Sequence, residues 1–226
     1  MPGLIHNLTL MAVRHGLVPD PLKKAYETQT VLRTQPSAKL AKKYHIQDTM
    51  FGHQNIYTFG SPQNGKPILY YGHGGAFVTG MFESYFMALG RLYQNLKMPV
   101  IAPDYPMPLE TDARDMREWA LAHFRQVIQD FPDSPLIISG DSAGANLVLA
   151  LTQDLSTTER ARVQAIFALY GWFNLERVSQ DYPNHKEEVL LSADLLPKSA
   201  LRFAGGLPLS DPMTVSYTHL TLPTKA

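Results

Sequence analysis

The pentapeptide Gly140-Asp141-Ser142-Ala143-Gly144 follows one apolar run, Leu136-Ile137-Ile138, and opens another, Leu147-Val148-Leu149-Ala150-Leu151. This order predicts a buried strand, a sharp turn and a buried helix. Glycines on either side of a serine let the backbone bend tightly and leave the hydroxyl exposed above the end of a sheet, the geometry of a nucleophile elbow. Ser142 is therefore the candidate nucleophile, with Gly140, Asp141 and Gly144 supporting the bend. The same residues also suit a plain turn and a serine N-cap. The surrounding segments have to decide between the two.

Those segments alternate. Met1 to about Lys43 reads as one or two helices ahead of the sheet. Gln54 to Phe59 is strand-like, the turn formers Gly60 to Pro67 follow, and Ile68-Leu69-Tyr70-Tyr71 resumes as a second strand, so a hairpin is expected there. Phe86, Leu89, Tyr93 and Leu96 then recur at helical spacing, Pro99 to Ala102 is a strand, and Ala113 to Phe131 carries the apolar stripe of a long helix. A further strand is expected through Ala165 to Tyr170. Regular alternation of strand and helix predicts an α/β fold with a mostly parallel sheet covered on both faces, and functional groups where strands end.

Composition narrows the functional classes. Of 226 residues 45% are hydrophobic and 18% charged, enough apolar content for one soluble domain with a small cap. Lys+Arg and Asp+Glu are 20 each, so there is no basic field to hold nucleic acid or an anionic membrane. A neutral small-molecule substrate fits better. The absence of cysteine removes disulfides, thiolate metal sites and cysteine nucleophiles, and with no signal-like segment or membrane span at the start it points to the cytoplasm.

Ester acyl transfer needs a nucleophile, a base, and fixed donors at the nascent oxyanion. The expected donors are the backbone N–H of Ala143, at the start of a helix, and those of Gly74 and Gly75 in the segment His73-Gly74-Gly75-Ala76, which closes a strand. Taken together, His73 to Ala76, Asp104-Tyr105 followed by Glu110, Gly140 to Gly144 with Asn146, and Trp172-Phe173-Asn174-Leu175 resemble the hormone-sensitive-lipase-like family of α/β-hydrolases. The likeness runs from about Tyr70 to Leu175. It implies an α/β-hydrolase fold, a carboxylesterase of short to medium acyl chains acting without metal or organic cofactor, and a structural rather than catalytic His73. Three departures stand out: Ala76 replaces the third glycine of the family's H-G-G-G loop, Gly72 replaces a bulkier strand residue, and Pro106 to Leu109 replace the centre of the second motif.

Chain order in such enzymes places an acid and then a histidine after the serine. Asp211 and His219 follow Ser142, but a separation of 219 − 211 = 8 positions leaves no room for the crossover of roughly 30 residues between two such loops. Asp181, His185 and Asp194 fall in expected cap material, and His6, His15, His45, His53 and His123 precede the serine and read as surface or helix-boundary residues. Residues 215–226 resemble translated sequencing-adapter read-through and are set aside as a non-native tail. The expectation is a hydrolase domain over 1–214 with cap elements at 1–50 and 175–206, its last strands missing and its acid and histidine lying beyond, so that this chain is a weak esterase. The alternatives are a non-catalytic small-molecule binder on the same scaffold and an amide hydrolase such as a peptidase or formamidase.

Overall fold

The computed structural model describes residues 21–176, 195–211 and 214. Two short helices lead, α1 (Pro21–Thr28) and α2 (Ala38–Tyr44), the second capped by the Ser37 hydroxyl accepting from the Leu40 N–H. The sheet strands are β1 (Ile46–Phe51), β2 (Gln54–Phe59), β3 (Ile68–Gly72), β4 (Val100–Pro103), β5 (Leu136–Asp141) and β6 (Val163–Leu169). Between them run α3 (Glu83–Leu96), α4 (Ala113–Asp130), α5 (Ser142–Gln153) and the single turn α6 (Thr157–Arg160), and α7 (Leu195–Ala204) follows β6.

Strand order is β1-β2-β4-β3-β5-β6, with β1, β2 and β4 paired antiparallel and β4, β3, β5 and β6 parallel. The hairpin therefore joins β1 to β2, not β2 to β3 as the turn formers at 60–67 implied. The reason is burial. All five β3 residues are buried, which suits the middle of a parallel sheet, whereas β1 is mostly exposed and suits an edge. From β3 the chain moves outward through α3 to β4, then crosses back through α4 to β5 on the other side of β3. That reversal makes a switch point between β3 and β5, where open α/β sheets gather ligands at the carboxyl ends of their strands.

Side chains alternate along β3, so its two faces build two cores. Ile68 and Tyr70 join Phe124, Val127, Leu147 and Leu151 of α4 and α5. Leu69 and Tyr71 join Tyr44 of α2 and Phe86 and Leu89 of α3. Leu96, expected on the apolar stripe of α3, is exposed because it ends the helix. Helix α4 starts at Asp112, whose side chain accepts the Asp115 N–H at 2.9 Å, and buries Met116, Ala120, Phe124 and Val127 as its spacing predicted.

Two findings depart from expectation. His123, read from sequence as a surface residue, lies inside the core: it stacks on Trp119, meets Phe51, and its Nδ1 is 3.0 Å from the Tyr70 hydroxyl. A helix-stripe position accommodates a histidine when a buried hydroxyl satisfies its ring. The second departure is β6, whose run Val163 to Leu169 has the apolar content of an interior parallel strand but closes one side of the sheet. Its Ile166 and Phe167, on opposite faces, are 40% and 55% exposed, and Tyr170 beyond it is 96% exposed. Among the described residues both edges of the sheet, β1 and β6, are thus left largely exposed, and cover on both faces is confined to the strands between them.

Burial lowers the pKa of His123 to about 4 from the usual 6.5, with Asp130 opposing weakly. Folding therefore favours the neutral ring, and the associated stability is complete above about pH 6.5 and lost as pH falls towards 4, by roughly 3 kcal/mol. Urea unfolding between pH 7 and 4.5 should show this decline, and His123→Leu should flatten it. The ion-paired Glu159, held down at about 2, titrates below that window.

Candidate active site

Register brings the site together. Gly72 on β3 pairs with Gly140 on β5, and Gly140 with Ala168 on β6, so the loops after these strands leave the sheet at one level. At the end of β5 the chain turns through Ser142, which has φ of 50° although it is not glycine. Left-handed backbone disfavours a residue with a Cβ by about 1–2 kcal/mol, and such strain persists where the surroundings dictate it. Here they do. A Cβ on Gly144 would overlap the carbonyl oxygens of Gly72 and His73, and one on Gly140 would lie 2.8 Å from the Gly144 backbone. Helix α5 thus rests directly on the backbone of β3 and β5, and the residue between the two glycines must bend outward. Gly72 belongs to the same contact, since a Cβ there would sit 2.8 Å from Val148 Cγ1 and 3.0 Å from the Gly144 carbonyl. This accounts for the missing bulky residue at that position.

Asp141 ties the elbow to the loop after β3. Its carboxylate accepts from the Tyr71 hydroxyl at 2.9 Å, the Tyr85 hydroxyl at 2.8 Å and the Gly74 N–H at 3.0 Å. Burial, reinforced by the Asp141 charge, pushes both phenols well above their ordinary pKa, which keeps them protonated as donors. The Gly74 amide also lies 2.8 Å from the Tyr85 oxygen. Gly74 was expected to present its N–H to an oxyanion, and that expectation is corrected: the amide is committed to Asp141 and Tyr85. Sequence could not reveal this, because Tyr71 and Tyr85 carry no motif.

Beyond Gly74 the backbone turns left-handed at three successive residues, Gly75 (φ 128°), Ala76 (φ 52°) and Phe77 (φ 59°). The Gly75 carbonyl accepts the N–H groups of Val78 and Thr79. Among the described residues no acceptor is found for the amides of Gly75 and Ala76. The Ala143 N–H stands in the first turn of α5, where helix amides lack partners along the chain and carry the positive end of the dipole. The site therefore offers one half-buried hydroxyl beside a helix N-terminus and a loop with free amides.

His73 plays a supporting part. Its ring is fully buried and stacked on Tyr105 at 4.4 Å, with Nδ1 2.7 Å from the Gly74 carbonyl and Nε2 3.3 Å from Asp104 Oδ1. Neither nitrogen is directed to Ser142. The Tyr105 hydroxyl donates to the His73 carbonyl at 2.6 Å. Asp104 also faces Arg33 at 3.1 Å, and Arg33 grips both oxygens of Glu110 at 2.8 and 3.1 Å. The aspartate and glutamate of the second motif thus share one arginine from the chain's beginning and brace the loop from behind. Arg33 was not singled out from sequence; a buried carboxylate demands a cation, but not a particular one. Asn146 holds the third strand end by donating to the Trp172 carbonyl at 2.8 Å, while the Trp172 N–H donates to the Ser142 carbonyl at 3.1 Å.

Among the described residues no histidine or carboxylate is hydrogen-bonded to the Ser142 hydroxyl, and no group of three His, Cys, Asp or Glu is arranged to hold a metal ion. Asp211 lies in a turn in which its N–H donates to the Pro208 carbonyl and its own carbonyl accepts from Thr214. His45 and His53 are exposed. Asp181, His185, Asp194, His219, His6 and His15 lie outside the described residues, as does the tail at 215–226. No described helix is long and apolar enough to cross a membrane.

Residues 69–220 match the family described as alpha/beta hydrolase fold, and the chain belongs to that family. An esterase from Acinetobacter venetianus is 28% identical over 131 residues, covering 57% of this chain and 43% of that protein. An acetyl-hydrolase from Streptomyces hygroscopicus is 29% identical over 164 residues, covering 70% of this chain and 54% of its own length. Among solved structures, the hormone-sensitive-lipase homologue EstE7 from a metagenome library superposes with a TM-score of 0.68 at 17% identity, over 92% of this chain and 71% of that one. The α/β-hydrolase fold that the motif resemblance implied is thus upheld. The chain spans about half the length of the curated relatives it matches.

Replacing Asp141 by Ala leaves the Tyr71 and Tyr85 hydroxyls without their acceptor, each costing about 1–3 kcal/mol, and leaves the Gly74 amide with the Tyr85 oxygen alone. Asp141→Ala should lower the unfolding free energy by at least about 2 kcal/mol, read by urea titration. Asp141→Asn, which keeps one acceptor oxygen, should lose less.

Proposed function

We propose that this chain carries the nucleophile and oxyanion donors of a serine carboxylesterase for short to medium acyl esters. The observation that carries the reading is the left-handed Ser142 at the strand-to-helix bend, tied through its neighbour Asp141 to the loop that bears free amides. The Ser142 Oγ attacks the ester carbonyl carbon and its proton passes to a base. The carbonyl oxygen becomes an oxyanion held by the N–H groups of Ala143, Gly75 and Ala76. Collapse then breaks the bond to the alcohol, which leaves with the proton, and water hydrolyses the acyl-serine in a second such step. Removing one oxyanion donor typically costs about two to three orders of magnitude in rate.

The base and its acid partner belong to sequence other than the described residues. The open, apolar β6 supports a sheet continued by further strands, whose loops would supply both groups. Acyl transfer without its base keeps only the contributions of binding and oxyanion stabilisation. The 226-residue chain is accordingly expected to be slow.

The test is hydrolysis of p-nitrophenyl acetate and butyrate by this chain, by the contiguous longer reading frame, and by Ser142→Ala of each. Turnover should be slow in the first, at least about a thousandfold faster in the second, and reduced to background by the substitution. Rapid turnover that survives Ser142→Ala would reject the nucleophile. A longer chain that binds esters without turning them over would favour a non-catalytic binder instead.

A further inference from the structure

The turn at 75–77 sets where the Gly75 and Ala76 amides point, yet two of its three residues carry a Cβ in left-handed backbone. Neighbouring hydrogen bonds fix its flanks. Gly74 is held by Asp141 before the turn, and after it the Gly80 N–H donates to the Leu32 carbonyl and the Met81 N–H to Asp104. Within the turn the Phe77 side chain is anchored by packing. Its ring, 1% exposed, stacks on Phe203 of α7 with centroids 4.1 Å apart and planes at 21°. Its ring centroid is also 6.2 Å from that of Trp172, whose backbone N–H donates to the Ser142 carbonyl. Phe203 is 3% exposed, and the residue before it in α7, Arg202, donates a hydrogen bond from its guanidinium to the Gln29 side-chain oxygen. Helix α7 is therefore docked both on the segment after α1 and on the amide-bearing turn.

We infer that Phe203 is a positioning residue for the oxyanion loop: by filling the space against Phe77 it holds the left-handed turn and so aims the Gly75 and Ala76 amides. The inference rests on the esterase reading for its catalytic consequence and on geometry alone for its structural one. If Phe203 is cut back, Phe77 gains room to relax towards ordinary backbone, and the amides swing with it. Donors displaced by about an ångström lose much of their effect on a developing charge, whereas ground-state substrate binding changes little.

Phe203→Ala and Phe203→Leu are compared with the parent chain, at a temperature where circular dichroism shows all three folded. The two readouts are p-nitrophenyl acetate turnover above the Ser142→Ala background and hydrogen exchange at Val78 and Thr79, whose amides close the turn by donating to the Gly75 carbonyl. Phe203→Ala should lower kcat by about 10- to 100-fold with KM within about threefold, and speed exchange of those amides at least tenfold. Phe203→Leu, which keeps apolar bulk, should stay within about threefold of the parent in both. Should Phe203→Ala fail to fold, Phe203→Val takes its place. Unchanged kcat in a parent that shows serine-dependent turnover overturns the inference. If the parent shows no such turnover, the esterase reading of this chain fails by itself, and exchange decides: equal rates in parent and alanine variant overturn the positioning role, and acceleration reversed by leucine supports it.

Discussion

The close approach of α5 to the ends of β3 and β5 is the contact on which the rest of this structure depends. Gly72, Gly140 and Gly144 meet backbone to backbone, and none has room for a side chain. Without that contact the helix would stand off by the width of a methyl group or more. The strand-to-helix bend could then relax, Ser142 would have no reason to hold its disfavoured φ, and the first-turn amide of α5 would lie elsewhere. The buried apolar residues of α5 that pack on the sheet, Leu147, Val148 and Leu151, supply the attraction, while the glycines set the distance at which it acts.

Around that contact the polar groups form two supports of different kind. Asp141 concentrates one charge on three donors, joining the elbow to Gly74 with little freedom, because burial keeps Tyr71 and Tyr85 protonated. Behind the loop, Asp104 and Glu110 converge on Arg33, and Asp104 also faces the His73 ring. A buried carboxylate without a cation would be strongly unfavourable, so the second motif and Arg33 require each other. One support is aimed at the reacting side and the other at the foundation. Together they leave Gly75, Ala76 and Phe77 as the stretch whose conformation must be set by packing.

Much of this was legible in the sequence and some of it was not. The strand, bend and helix around Ser142 follow from apolar runs flanking G-x-S-x-G, and β2 from Gln54 to Phe59 emerged with the boundaries its composition implied. The pairing of β2 was misread, because turn formers mark where a chain bends but not which strand it returns to. His123 was placed outside because histidine is more often exposed, and its burial depended on a hydroxyl 53 positions away. The role of the Gly74 amide changed for the same kind of reason: two tyrosines without motif brought enough donors to make Asp141 a hub.

By itself the sequence determined the elements, the bend at Ser142 and the identity of the segments that meet there. Each of these depends on neighbours along the chain, through apolar spacing, glycine and proline. Only the tertiary structure decided which donor meets which acceptor: Gly74 on Asp141, Arg33 on Asp104, Phe203 on Phe77. Those pairings join residues 67, 71 and 126 positions apart, calculated as 141 − 74, 104 − 33 and 203 − 77. They arise from strand order and crossover, and a hydrogen bond or ring stack is won or lost over about an ångström, a precision that local patterning does not carry.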